Sequence, residues 1–125
     1  MSKVMTQDVR TTVDAYFAMW NAGDAAARAE QIKKAWVANG RYVDPARDFE
    51  GHDALSKMVE AARAHYVGHT IRQSSGIDAH HDLIRFAWQV LAPDGRVHVT
   101  GIDVGVLADD GRLQRITGFI GDLPE

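Results

Sequence analysis

Tyr16, Asp44 and Asp103 are the residues of this chain whose types and settings could do chemistry together. Asp103 sits in an apolar run, Val99-Thr-Gly-Ile-Asp-Val-Gly-Val-Leu107. A carboxylate there is costly to bury unless it is paired, hydrogen-bonded or protonated. Asp44 precedes Pro45, which disfavours helical geometry at the aspartate. Tyr16 lies on a segment with strong helical patterning. Sites that need a neutral carboxylic acid, a phenol and a separate ionised base use such placements, and convergence of the three on one pocket would point to an enzyme. Each residue also has a plainer reading. Asp-Pro starts turns, Asp103 could pair with Arg85 or Arg115 at a strand edge, and Tyr16 could be a core aromatic with a backbone partner.

The elements that must position these groups follow from periodicity. Val9, Val13, Tyr16, Phe17 and Trp20 recur at helical spacing, and Asn21-Ala-Gly23 ends that helix. Asp24 is placed to cap a second helix over Ala25 to Ala38, with Ala29, Ile32, Ala35 and Trp36 as its apolar face and Asn39-Gly40 as its stop. Arg41 to Asp44 is a short extended piece followed by a loop to Gly51. Leu55, Met58, Val59, Ala62 and Tyr66 mark a third helix.

The second half reads as strands. His69 to Ile77 carries a weak signal, while Leu83 to Leu91 alternates Ile84, Phe86, Trp88 and Val90 against Arg85 and Gln89. Pro93 to Arg96 is a hairpin turn, Val97 to Leu107 a long strand, Asp109 to Gly111 a second turn and Leu113 to Gly121 the last strand. Helices first and a sheet second predict an α+β domain spanning residues 1–125, with a curved antiparallel sheet wrapped around the N-terminal helices and a pocket between. Period two puts Asp103 on one face with Val97, Val99, Gly101 and Gly105, where the glycines leave room. The opposite face presents Ile102, Val104 and Val106, which predicts a homodimer through the outer sheet face.

Composition narrows the function classes. With 125 residues, 46% of them hydrophobic and 25% charged, the chain can build a real core. A net charge of −3 without a basic cluster gives no footprint for nucleic acid. With no cysteine, thiolate chemistry and disulfides are excluded. Met1-Ser-Lys-Val-Met-Thr-Gln lacks the apolar core of a signal peptide and no stretch is apolar enough to span a membrane, so a cytoplasmic location is expected. The histidines do not fall at metal-ligand spacing on a helix, and no metal is expected.

The segment Tyr16-Phe-Ala-Met-Trp-Asn-Ala-Gly-Asp24 resembles the first helix of the cone-shaped α+β fold shared by nuclear transport factor-like proteins, polyketide cyclases, scytalone dehydratase and ketosteroid isomerases. Ile32 to Pro45 resembles the segment that carries the isomerase general base before a proline. Gly101-Ile-Asp-Val104, followed by Asp109-Asp-Gly-Arg112, resembles the strand and turn of the isomerase's protonated aspartic acid. The resemblance covers nearly the whole chain. It implies Asp44 as base, Tyr16 and a protonated Asp103 as donors to the enolate oxygen, and no cofactor. Trp36, Met58, Phe86, Trp88, Val90, Ile116 and Ile120 are the expected substrate-binding walls, around a small apolar or polycyclic carbonyl compound.

The sequence departs from the isomerases at several positions. The second helix is about one turn longer, the third-helix pocket tyrosine falls near Ala61, and Ile120 stands where some isomerases have tryptophan. Cyclase chemistry would use the same base. Dehydratase-like chemistry would want a pocket histidine, for which His65 is a candidate. Epoxide hydrolysis is disfavoured, because the strand lacks an Arg-x-Asp pair and the last strand lacks an aspartate. The other reading is a non-catalytic small-ligand-binding or protein-association domain on the same scaffold.

Overall fold

The computed structural model describes residues 7–125, so the N-terminal stretch read for a leader lies, but for Gln7, outside the described residues. Helix α1 spans Val9–Asn21 and α2 spans Ala25–Ala35. Both begin on an aspartate N-cap. Asp8 accepts from the Thr11 amide at 2.8 Å, and Asp24 accepts from the Ala26 amide at 2.8 Å. Each cap is worth about 1 kcal/mol. The apolar face of α1 buries Val13, Tyr16, Phe17 and Met19, which fixes the Tyr16 side chain toward the sheet.

Helix α2 is shorter than its composition predicts. Trp36 adopts extended backbone and opens strand β1, Trp36–Asp44, so Asn39 and Gly40 lie within a strand and stop no helix. The pairing of β1 shifts register between Trp36 and Arg41. A side chain at Gly40 would overlap the Trp36 ring, which packs across this irregular stretch. Burial of the large indole outweighs the helix propensity of its neighbours. The loop before Gly51 holds a further strand, β2 (Arg47–Glu50), and helix α3 follows over His52–His65 with Leu55, Met58 and Val59 buried.

Strands β3 (Thr70–Gln73), β4 (Asp78–His80), β5 (Leu83–Leu91), β6 (Val97–Leu107) and β7 (Leu113–Ile120) complete one curved sheet in the order β2-β1-β7-β6-β5-β3, with β4 paired to β5. The sheet is mixed rather than wholly antiparallel, because β1 lies parallel to β7. This one pairing brings the strand that ends at Asp44 next to the strand facing Asp103. Val43 is opposite Thr117 on β7, and Asp103 is opposite Gly118 on the same strand. No helix among the described residues is long and apolar enough to cross a membrane.

The faces follow period two. Gly101, Asp103, Gly105 and Leu107 of β6 are buried against the helices, while Ile102 is 48% exposed and its cross-strand neighbour Phe119 59% exposed on the outside. Gly101 is opposite Trp88, and any side chain there would overlap both the Trp88 ring and the Phe119 carbonyl. Gly101→Ala is therefore expected to lower stability by about 1–3 kcal/mol through overpacking. A urea-unfolding midpoint equal to that of the wild type would contradict this close approach.

Candidate active site

Tyr16 on α1 and Asp103 on β6 meet in the interior, with the phenol oxygen 2.7 Å from Asp103 Oδ2. The Trp88 indole on β5 donates to the other carboxyl oxygen, Oδ1, at 3.1 Å. Asp103 and Tyr16 are each about 1% exposed. Asp103 bonds neither Arg85, which holds Asp78, nor Arg115, which donates to Thr117. Burial dominates its titration. It pushes the carboxyl up, the two hydrogen bonds pull it partly back, the charge of Asp44 adds to the rise, and the result is about 7. Burial, with the neighbouring charge of Asp103, drives Tyr16 well above the usual phenol range, so Tyr16 keeps its proton and remains a donor.

The position of the acid proton follows from donor chemistry. An indole N–H only donates, so Oδ1 must accept. When Asp103 is neutral its proton sits on Oδ2, facing the phenol oxygen. Tyr16 then accepts from Asp103 and turns its own hydrogen toward the cavity.

Asp44, at the end of β1, forms a second acid–phenol pair. Tyr42 donates to Asp44 Oδ2 at 2.7 Å, Arg47 donates to the same oxygen at 3.1 Å, and the Ala46 amide donates to Oδ1 at 2.9 Å. A carboxylate offers about four acceptor positions, so one remains open on Oδ1. Tyr42 is also driven up by burial and by the charge of Asp103. The two acids flank Gly118. A methyl carbon built there would sit 2.9 Å from Asp103 Oδ1, 3.3 Å from Asp44 Cβ and 3.4 Å from the Tyr42 hydroxyl. A side chain at this point would crowd both residues, so glycine lets the two acids sit on either side of β7.

Tyr16, Asp44 and Asp103 line one cavity of about 110 Å³. Of the expected walls, Trp88, Val90 and Ile120 line it as well. Trp36, Met58, Phe86 and Ile116 do not. They are buried in the core behind it, where Phe86 and Trp36 pack on the Tyr16 ring. Period two assigns a side chain to the inner face but not to a depth along it.

Sequence reasoning did not anticipate Trp20, Tyr42, Arg47, Arg63 and His69 in the wall. Tyr42 had a readable signal, since it precedes Asp44 by two residues on one strand and so shares its face. The cavity tyrosine of the third helix is Tyr66, just past its end. The cavity histidine is His69 rather than His65, with its Nδ1 on the Val67 carbonyl and Nε2 3.2 Å from His98.

A family model described as a SnoaL-like domain matches residues 13–116, a span that includes Tyr16, Asp44 and Asp103. Among solved structures, a protein from Agrobacterium tumefaciens, provisionally named an isomerase of the SnoaL-like family, is 34% identical with a TM-score of 0.85, over 91% of this chain and 97% of its own. An NTF2-like protein of unknown function from Exiguobacterium is 22% identical with a TM-score of 0.72, over 90% of this chain and 100% of its own. A Sinorhizobium meliloti protein provisionally named a polyketide cyclase is 18% identical with a TM-score of 0.67, over 86% and 92%. The latter two likenesses bear on the fold alone. A search of curated proteins found no match.

The raised Asp103 carboxyl has a consequence for stability. Between the ordinary 3.8 and about 7 the folded chain keeps a proton that the unfolded chain has lost. Stability from this group is therefore fullest below the lower value and declines as pH rises to the upper one. Asp103→Asn is expected to remove that downward slope, measured as denaturant midpoints across this pH window. An equal slope in wild type and variant would contradict the assignment.

Proposed function

The chain belongs to the SnoaL-like family, and we propose that it is a cofactor-independent enzyme that removes a proton beside a carbonyl and stabilises the enolate, as an isomerase or cyclase does. Asp44 is the base. Tyr16, with protonated Asp103 behind it, donates to the carbonyl oxygen as negative charge builds there. The proton taken by Asp44 returns to another carbon or is exchanged. Donors fixed in advance, in a site poor in water, are typically the largest catalytic contribution, and losing one costs on the order of 100–1000-fold in rate.

The observation that carries this reading is the common cavity that Tyr16, Asp44 and Asp103 line. An ionisable carboxylate and a buried acid–phenol pair line that one cavity, each held by its own donors. A reacting atom needs a place within reach of both the base and the donor. The provisional isomerase name of the Agrobacterium tumefaciens protein agrees with it. A cavity of about 110 Å³ is smaller than the ~150 Å³ of an engineered cavity that holds benzene. The enclosed part of the substrate is therefore a single ring or a compact chain, and fused rings would extend through the mouth.

One observation favours a second reading, a non-catalytic ligand-binding domain. Three donors already occupy Asp44, which leaves it little freedom to act as a base. Proton exchange separates the two readings. The wild type is expected to speed deuterium uptake at the carbon beside the carbonyl of 3-cyclohexenone in heavy water, followed by NMR. Asp44→Asn should lower that rate by ~100–10,000-fold, the usual worth of a general base. Equal exchange with wild type, Asp44→Asn and no protein would leave the binding-domain reading standing.

A further inference from the structure

Trp20 lies one helical turn beyond Tyr16 on α1, on the same face. The two rings meet edge to face at a centroid distance of 6.4 Å, and Trp20 also packs on Tyr42 at 5.6 Å. Its indole nitrogen is buried and has no hydrogen-bond partner among the described residues. An orphan donor away from water costs free energy that folding alone gives no reason to retain. Trp36 Nε1 is the other buried nitrogen in this condition, but Trp36 is fully enclosed in the core whereas Trp20 lines the cavity. The Trp20 N–H lies toward the Tyr16 hydroxyl, where it offsets a little of that phenol's upward shift.

We propose that Trp20 Nε1–H is a second donor to the ligand oxygen bound at Tyr16, a catalytic residue whose hydrogen bond is completed only when the cavity is filled. The proposal rests on the reading that an oxygen sits at the Tyr16 hydroxyl. It extends that site to a donor pair, a phenol and an indole at positions i and i+4 of one helix, converging on a single acceptor. The substrate class is thereby narrowed to compounds whose oxygen can accept two hydrogen bonds, such as a carbonyl that becomes an enolate. A bound phenolate imitates that product state.

Two binding measurements with 2-naphthol as the probe, and one of stability, test the pair without turnover. In the intact protein, the three tryptophans give three indole N–H signals, assigned by substitution. On titration with 2-naphthol the Trp20 signal should move downfield while that of Trp36, equally orphaned but outside the cavity, stays in place. Trp20→Phe, which keeps an aromatic ring and removes the donor, should bind 2-naphthol about tenfold more weakly by calorimetry. The same variant should unfold at an unchanged or higher temperature, since it no longer buries an unmet donor. A purely structural Trp20 gives the opposite pattern, with lower stability and unchanged affinity, and that result overturns the proposal. If Tyr16→Phe weakens 2-naphthol binding and Trp20→Phe does not, the Trp20 role falls while the Tyr16 site stands. If 2-naphthol does not bind the wild type, the oxygen site and its second donor fall together.

Discussion

A carboxyl group on the inner face of a curved sheet is the constraint around which this molecule is arranged. Asp103 is nearly sealed from water and bonds no cation among the described residues. Its two oxygens are met instead by a phenol and an indole, one from α1 and one from β5. Neutral donors of this kind cannot fully replace hydration of a charge, so the group retains its proton toward neutrality. The surroundings follow from this demand. Trp88 can reach Asp103 because Gly101 leaves its ring room, and Tyr16 reaches it from the buried face of α1. A core of apolar residues at the same positions would be simpler to fold, so keeping a buried acid there points to use of its proton.

The second acid is held differently, and the contrast gives the site its polarity. Asp44 has a cation, a phenol and a backbone amide, all drawn from residues within three positions of it in sequence. Its support is local, whereas that of Asp103 is drawn from two other segments, α1 and β5. The parallel pairing of β1 and β7 then sets the two acids on either side of Gly118. Acid and base roles separate when two titratable groups occupy unlike environments. Here one carboxyl is sealed among neutral donors and the other lies against a guanidinium.

The sequence carried much of this. Alternation along Leu83–Leu91 and Val97–Leu107 gave both strands with their bounds, and the face of Asp103 follows from parity alone. The family resemblance agrees with the SnoaL-like match and with the cone-shaped fold. What local pattern could not supply was long-range. Ala25 to Ala38 has the composition of one helix, yet Trp36 turns the chain into a strand because its ring is needed in the core. The parallel β1–β7 pair joins segments some seventy residues apart, for which no turn signal exists. Cavity depth was equally hidden. Phe86 and Ile116 share the inner face with Trp88 and Gly118 but pack behind the cavity instead of lining it.

The central claim is that Asp103 carries a proton near neutrality and passes its hydrogen bond through Tyr16 to the cavity. Carbon-13 NMR of labelled aspartate carboxyls, titrated across pH in wild type and Asp103→Asn, tests it most directly. The account predicts one carboxyl signal that titrates at about 7, is missing from the variant, and moves to higher pH when Trp88→Phe removes the indole donor that favours the ionised form. A wild-type Asp103 signal already ionised at pH 5 would contradict it.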